Sequence, residues 1–209
     1  MQMVQLFQWG SILLWALIIV LLLTVWKGNR HFLWSILAIT LNFTLEPIYD
    51  QYFAIAYSKE FIPLLPRVDL PLMVPFAYGT LYTVPLLISL WFFGKFPKVP
   101  AWAKLLGMWV FMWATNMAQE GMTTSGGAWD YYGWTPASFG LGNQPWIVPV
   151  GVALNLPAFY FSHVYATRVS ERLGTGMQKF LMHLGVFFAA TLVVWIANVL
   201  ILALYGGPH

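Results

Sequence analysis

Long apolar runs alternate with short polar connections along the whole chain. Each run is about 20 residues long and is bounded by charged residues or by Gly and Pro clusters, as expected for a helix that crosses a bilayer. No low-complexity segment or linker separates the runs, so we expect one all-α transmembrane bundle over residues 1–209. The six predicted spans lie near residues 9–27, 32–56, 71–94, 101–120, 145–167 and 180–205.

The composition supports a membrane protein. Hydrophobic residues make up 60% and charged residues 8% of the chain, whereas a soluble domain carries about 25% charged residues. Too few polar groups remain to cover a globular surface, which argues against a soluble enzyme, a disordered segment and a nucleic-acid-binding protein. The chain has no cysteine, which excludes disulfides and thiolate metal sites.

The basic residues predict the orientation of the spans. Only Lys59 and Arg67 lie outside the connections that follow spans one, three and five. The positive-inside rule makes those three connections cytoplasmic and places both termini on the other side, as an even number of spans requires. The first run lacks the flanks of a signal peptide and is predicted to be retained. The basic residues in the three connections are Lys27, Arg30, Lys95, Lys98, Lys104, Arg168, Arg172 and Lys179.

The acidic residues show the opposite distribution. All except Glu171 fall in the predicted outer half or in outer loops. Acidic residues contribute little to topology, so their clustering suggests a site. The six are Glu46, Asp50, Glu60, Asp69, Glu120 and Asp130.

Span two carries three polar residues on one predicted helix face. Asn42, Glu46 and Asp50 are spaced i, i+4, i+8, and Pro47 frees backbone carbonyls that water or a polar group must satisfy. Two carboxyls one turn apart in a low dielectric do not both ionise easily, so one is a candidate general acid. Alternatively, Glu46 only bonds polar groups of another helix.

Span four ends with a second Asn-x-x-x-Glu pair, Asn116 and Glu120. Span four also runs outward, so its pair is delivered to the same half of the membrane as Glu46. Glu120 is therefore either a second acid of the same site or a solvated helix end.

The connection over 121–134 is rich in glycine and aromatic residues and has Asp130 as its one charge. We expect a folded cap or re-entrant segment over the outer mouth, because irregular backbone at that depth must be buried in protein or line a cavity. Alternatively, Asp130 caps a turn. An interfacial aromatic belt accounts for Trp134, at the end of the connection, and for Trp146. The aromatic residues of the connection are Trp129, Tyr131, Tyr132 and Trp134.

Three further polar residues fall inside spans. Tyr78 and Tyr82 share a face of span three, where core packing is the alternative to a binding role. Asn155 lies near the middle of span five, where it orients a carboxyl or makes a helix-to-helix hydrogen bond.

The sequence indicates no metal or cofactor. His163 and His183 lie toward the cytoplasmic ends of their spans, and His31 and His209 lie in a loop and at the last position. There is no HxxH, HExxH, Walker or GxGxxG spacing, and no Asp-Asp pair of the kind that ionises prenyl diphosphates through metal ions.

Acids with aromatic neighbours fit carbocation chemistry. A neutral carboxylic acid in a dry pocket protonates an alkene or epoxide, and ring faces then stabilise the cation.

The stretch Asn42-Phe43-Thr44-Leu45-Glu46-Pro47-Ile48-Tyr49 resembles the Asn-x-x-x-Glu-x-x-Tyr stretch of the integral membrane terpene cyclases of meroterpenoid pathways. Those small helical enzymes cyclise prenyl chains by protonation from an intramembrane glutamate. The resemblance implies Glu46 as proton donor, with Asn42 and Tyr49 beside it. The family also has an acidic residue in its last span, where this chain has none, so Glu120 or Asp130 would take that place.

Two weaker likenesses point to the same chemistry. The region from Glu120 to Pro157, including Pro145-Trp146-Ile147-Val148-Pro149, is similar to membrane carotenoid hydratases, which protonate an isoprenoid double bond and add water. The sterol-isomerase-like membrane fold also uses intramembrane acids.

We therefore expect a metal-independent isoprenoid cyclase. Its expected partners are a lipid-like isoprenoid substrate and membrane lipids, and we expect no binding to nucleic acid. A hydratase, a double-bond isomerase and a small transporter or membrane subunit are the alternatives. The oligomeric state stays open, since the apolar surface can face lipid or a second copy. The expected catalytic residues are Glu46, Asp50, Glu120 and Asp130, and the expected substrate-binding residues are Asn42, Tyr49, Tyr78, Tyr82, Asn116, Trp129, Tyr131, Tyr132 and Asn155.

Overall fold

The computed structural model describes residues 2–26, 30–65, 68–133, 144–145 and 147–205. Lys27, Arg67, Trp134, Trp146 and His209, which entered the sequence predictions, lie outside the described residues. The helices are α1 (Gln2–Thr24), α2 (Arg30–Leu41), α3 (Glu46–Phe53), α4 (Val74–Leu81), α5 (Thr83–Lys95), α6 (Ala101–Ser125), α7 (Ile147–Val152), α8 (Asn155–Ser170) and α9 (Gly176–Tyr205). A 3₁₀ turn covers Asn42–Leu45, and the short strands are β1 (Ile55–Tyr57), β2 (Pro63–Leu65), β3 (Val68–Pro71) and β4 (Trp129–Tyr131).

The predicted helical membrane bundle is confirmed. Within the described residues, five stretches are long and apolar enough to cross a membrane: Met3–Thr24, Arg30–Phe53, Val74–Lys95, Ile147–Ser170 and Gly176–Leu204.

The remaining predicted span, span four at 101–120, corresponds to α6. This helix has 25 residues, long enough to cross, but it is not among the five apolar stretches. It carries the polar residues Lys104, Asn116, Gln119 and Glu120. Its crossing and the side on which the termini lie stay predictions.

Three of the membrane stretches are broken into two helices shortly before a proline. Pro47, Pro85 and Pro157 follow the breaks between α2 and α3, α4 and α5, and α7 and α8. Proline has no N–H, so the carbonyl one turn earlier loses its helical partner. At the first break the Phe43 carbonyl accepts from the Glu46 N–H instead, which is the i to i+3 pairing of a 3₁₀ turn.

The stretch formed by α7 and α8 is the centre of the bundle. Within Ile147–Ser170, 72% of an 18-residue apolar segment is buried inside the bundle, whereas the buried share of such a segment in Met3–Thr24 is 17%. The helix α1 therefore lies at the periphery. The Phe159 ring of α8 packs edge-on against Tyr82 at 5.1 Å and lies 5.4 Å from the Phe187 ring of α9. These contacts join the centre to α9 and to the break between α4 and α5.

A pair of short strands closes one end of the bundle, called here the strand end. β1 and β4 pair antiparallel, with Tyr57 opposite Trp129. Two turns aim them at each other: Ala54 ends α3 in a left-handed conformation (φ 51°), and Gly127 turns the chain after α6 (φ 70°), a region that glycine adopts without strain. The expected cap is therefore folded. Its described residues, 121–133, form the end of α6, the strand β4 and the turns beside them, and they contain no re-entrant helix.

Candidate active site

A cavity of about 100 Å³ lies at the strand end, among the broken helices, β1 and β4. We call it the acid pocket. Within the described part of the chain, its lining contains two carboxyl groups and no lysine, arginine or histidine. The polar and aromatic members of the lining are Glu46, Tyr49, Tyr57, Tyr78, Tyr82, Asn116, Gln119, Glu120, Trp129, Tyr131, Asn155, Thr191, Trp195 and Asn198.

Glu46 is the first residue of α3 and is buried, with 7% of its surface exposed. The Tyr57 hydroxyl donates to its Oε1 at 2.7 Å, and the Tyr78 hydroxyl donates to its Oε2. Each carboxyl oxygen is thereby held by a phenol from a different element, β1 and α4. The orientation of the Glu46 carboxyl is fixed from two sides.

Glu120, on α6, is the second buried carboxyl of the pocket, with 8% exposed. Its Oε2 accepts from the Trp129 indole N–H and from the Tyr131 hydroxyl, both at 2.9 Å. Alternate residues of a strand point to the same side, which explains why β4 presents both donors to Glu120. It also explains why Asp130, between them, is exposed and turned away from the pocket.

The phenols of the strand pair stay protonated. Burial, together with the nearby carboxyls Glu46 and Asp50, raises the pKa of Tyr57 well above its usual range. Burial and the neighbouring Glu120 raise the pKa of Tyr131 in the same way. Both side chains therefore serve as hydrogen-bond donors at neutral pH.

A second cavity of about 440 Å³, which we call the vestibule, adjoins the acid pocket. Asp50 and the exposed Tyr132 line the vestibule, while Ile55 and Tyr57 line both cavities. The Tyr57 hydroxyl lies 3.4 Å from Asp50 Oδ1 and also bonds Glu46. Tyr57 thus stands between the buried carboxyl and the vestibule.

Asn155 stabilises the break between α7 and α8. Its Nδ2 donates to the Val152 carbonyl and to the Tyr82 hydroxyl, both at 3.2 Å. Tyr82 occupies the break between α4 and α5, so this hydrogen bond links two broken stretches at the pocket wall.

Five lining side chains have a buried polar atom without a hydrogen-bond partner among the described residues. Unpaired buried polar groups are rare in folded proteins, and in a cavity wall they are positions where water or a ligand binds. The atoms are Tyr49 Oη, Asn116 Oδ1, Gln119 Oε1, Trp195 Nε1 and Asn198 Oδ1.

The structure brings together most of the residues that the sequence predicted. In the acid pocket it places Glu46, Tyr49, Tyr78, Tyr82, Asn116, Glu120, Trp129, Tyr131 and Asn155. Asp50 and Tyr132 lie in the vestibule, and Asp130 lies on the surface.

Asn42 is buried but is not part of the pocket lining. The predicted common face of Asn42 and Glu46 assumed a continuous α-helix. A 3₁₀ turn advances about 120° per residue instead of about 100°, so the turn rotates Asn42 away from Glu46.

Tyr57, Gln119 and Asn198 belong to the pocket and were not predicted. Tyr57 reaches Glu46 only because β1 pairs with a strand far along the chain. Asn198 approaches because Gly151 has no side chain: a Cβ there would collide with the Asn198 amide. The sequence around Gly151 or Asn198 does not indicate this contact, because the two residues lie in different spans.

Three histidines meet at the opposite end of the bundle. His31 and His183 have ring centroids 5.5 Å apart. Ser35 Oγ lies 2.9 Å from His163 Nδ1, and Ser170 Oγ lies 3.1 Å from His31 Nδ1. We call His31, His163 and His183 the histidine cluster. In the described part of the chain, no group of three or more His, Asp or Glu residues could hold a metal ion.

No protein-family model matches the chain, and neither a curated protein nor a solved structure matches it. The resemblance to membrane terpene cyclases therefore depends on the motif residues around Glu46.

Proposed function

We propose that the chain is a membrane enzyme that protonates a double bond or epoxide of an isoprenoid and guides the resulting cation to ring closure, without a metal ion. The observation that carries this proposal is the acid pocket. In it, two buried carboxyls, each held by two aromatic donors, face a cavity that no basic side chain of the described residues lines.

Glu46 is the proposed proton donor. Burial disfavours a charged carboxylate when no cation compensates it, and the lining supplies none. Tyr57 and Tyr78 hold the carboxyl so that its proton is presented to the substrate. Transfer of that proton to one alkene carbon leaves the positive charge on the adjacent carbon and a carboxylate at Glu46.

The aromatic wall is suited to the cation. The faces of aromatic rings attract positive charge without reacting with it. After ring closure a proton must leave the carbon skeleton, and Glu120 is the proposed acceptor, because the hydrogen bonds from Trp129 and Tyr131 orient and stabilise its carboxylate. Glu120 then releases this proton to water that enters the pocket as the product leaves. Glu46 regains its proton from the vestibule through Tyr57, next to Asp50.

The size of the acid pocket favours a second candidate, a hydratase or double-bond isomerase. About 100 Å³ is smaller than the cavity of about 150 Å³ that binds benzene in an engineered protein. Such a pocket holds one reacting isoprene unit more easily than a folded chain. The products separate the candidates: a new ring, added water or a shifted double bond.

The test is turnover of linear polyprenyl alcohols and their terminal epoxides by the protein in lipid vesicles. Glu46→Gln keeps the shape of the side chain and removes its acidic proton, so product should fall by about 10²–10⁴-fold, the usual contribution of general acid catalysis. Full activity in Glu46→Gln would refute the proposal.

The matched control is Asp130→Asn, which removes an exposed carboxyl of the same end of the bundle and should leave turnover unchanged. Flux of an unaltered solute across the vesicle membrane, with no product from any of these substrates, would favour a transporter instead.

A further inference from the structure

The acid pocket is too small for the substrate class proposed above. A chain of several isoprene units exceeds a cavity of about 100 Å³, since drug-sized ligands occupy pockets of about 300–1,000 Å³. The part of the chain that is not reacting must therefore lie in another space that meets this pocket.

A larger groove lies on the outside of the bundle, where α1 faces α4, α5 and α6. Its volume is about 730 Å³. Among its walls are Leu6 and Leu14 of α1, Ile88 of α5 and Met122 of α6, all exposed side chains on the periphery of the bundle. We call it the lateral groove. In a membrane it opens to the lipid chains.

The lateral groove and the acid pocket share a wall. Met73, Ala77, Leu81, Gln119 and Trp129 line both. A single layer of side chains therefore separates the two spaces, and it includes Trp129, the residue that donates to Glu120. This shared wall distinguishes the groove from an ordinary lipid-facing surface.

We propose that the lateral groove binds the prenyl chain of an uncharged, membrane-dissolved substrate and directs its reactive end past Met73 and Ala77 into the acid pocket. This inference rests on the function proposed above. The groove walls are apolar apart from hydroxyls and one amide, those of Ser11, Thr80, Thr115 and Gln119, so they suit a hydrocarbon chain.

The charge of both linings defines the substrate further. Among the described residues, neither the groove nor the acid pocket is lined by lysine or arginine, the side chains that recognise phosphate groups. The substrate is therefore a prenyl alcohol, hydrocarbon, epoxide or prenylated neutral compound and not a prenyl diphosphate.

Gly10 provides a way to fill the groove. It belongs to the groove wall, and a Cβ at Gly10 would meet no atom within 4 Å, so a larger side chain enters free space. Gly185 on α9 also has nothing within 4 Å of a Cβ and does not line the groove. Gly10→Phe and Gly185→Phe form a matched pair, and Gly10→Leu is a milder version of the first.

The experiment uses the full chain in phosphatidylcholine vesicles and a geranylgeraniol that carries a diazirine at its chain end. After irradiation, mass spectrometry should locate the label on the groove-facing parts of α1 and α6. Unlabelled geranylgeraniol should compete, and geranylgeranyl diphosphate should not. Gly10→Phe and Gly10→Leu should lose the competable label, while Gly185→Phe should keep it.

Label spread over the lipid-facing side of α9 without competition would overturn the inference, as would unchanged labelling in both Gly10 variants. Equal competition by the diphosphate would overturn the uncharged substrate class, and equal labelling by a straight-chain diazirine alcohol would overturn the prenyl assignment.

Glu46→Gln separates this inference from the proposed function. Groove labelling should persist in this variant, because binding does not need the acid. Groove labelling with undiminished turnover in Glu46→Gln would refute the function alone. Diffuse labelling with lost turnover would refute the groove alone.

Discussion

The acid pocket and the histidine cluster are both buried polar groups, at opposite ends of one bundle, and they differ in what surrounds them. At the strand end, Glu46 and Glu120 line a cavity and are held by residues from strands and a broken helix stretch. At the other end, His31 and His163 bond serines of helices packed around them. No histidine that the structure describes lines the acid pocket, the vestibule or the lateral groove.

The difference lies in the backbone. Pro47, Pro85 and Pro157 interrupt their stretches at the acid pocket, and irregular backbone inside a membrane persists where it lines a cavity or is buried in protein. The histidine cluster lies on the regular parts of α2, α8 and α9, where polar pairs hold helices together. Burial of a titratable group therefore does not by itself indicate a site, and we select the acid pocket as the candidate site because its carboxyls also lie beside broken helices and a cavity.

Glu120→Gln tests whether the second carboxyl is part of the chemistry. As the proposed proton acceptor, its loss should lower turnover by about 10²-fold. The Gln oxygen can still accept from Trp129 and Tyr131, so the thermal unfolding temperature in detergent should change little. Product analysis is the sharper measurement, because a missing final deprotonation should shift the products toward water-trapped alcohols. Unchanged rate and products would leave Glu46 as the only acid.

Tyr57→Phe tests the connection between the pocket and the vestibule. Without the hydroxyl, Glu46 loses one donor and its proposed proton route but keeps Tyr78, so turnover should fall by about tenfold, less than the loss of the acid itself, which is about 10²–10⁴-fold. Asp50→Asn should slow turnover as well, and the two changes should not add. If Asp50→Asn has no effect, Tyr57 only positions Glu46.

The pH dependence of Tyr57 follows from its raised pKa. A phenol whose folded pKa lies above the usual value of about 10 contributes fully below that value, and the contribution is lost as pH rises toward the folded pKa. Wild-type stability should therefore decline at strongly alkaline pH more than that of Tyr57→Phe. Equal alkaline profiles would contradict the burial of the Tyr57 phenol beside these carboxyls.

Ser35→Ala gives the smallest expected effect and tests the histidine end. It removes the partner of His163, and such hydrogen bonds between membrane helices average about 0.6 kcal/mol. The unfolding temperature should fall slightly, with turnover unchanged. Ser170→Ala, which removes the partner of His31, should behave alike. Loss of turnover in either variant would break the comparison, because the histidine cluster would then take part in the chemistry.

The sequence was sufficient to predict the helical bundle and to select Glu46 as an intramembrane carboxyl, whereas it left Glu120 open between a second acid of the site and a solvated helix end. Charge is so scarce in this chain that Glu46 and Glu120 stand out within apolar runs. Asn42 was misplaced because the spacing rule assumes a continuous helix, although Pro47 indicated a disturbance. The sequence around Asp130 does not distinguish it from Trp129 and Tyr131 as a candidate site residue. Only the alternation of side chains along β4 turns Asp130 outward and its two neighbours inward.

Contacts between distant segments could not be read from the sequence. Tyr57 is an ordinary tyrosine in a short apolar stretch until β1 pairs with β4. The histidines of α2, α8 and α9 lie in separate spans, and nothing in their spacing indicates that they meet. These positions depend on helix packing, which follows from shape across the whole bundle.

The pairing of β1 with β4 has a consequence for how the protein responds to its bilayer. Transmembrane helices tilt when the hydrocarbon layer becomes thinner or thicker, and tilt alone would change the separation of two carboxyls on different helices. Here the strand pair that sets Tyr57 opposite Trp129 also connects Tyr57, one donor of Glu46, to both donors of Glu120. Backbone hydrogen bonds, such as the one from the Tyr132 N–H to the Ala54 carbonyl at 2.8 Å, hold the two strands at a fixed separation. We therefore expect the distance between the two acids to depend little on membrane thickness.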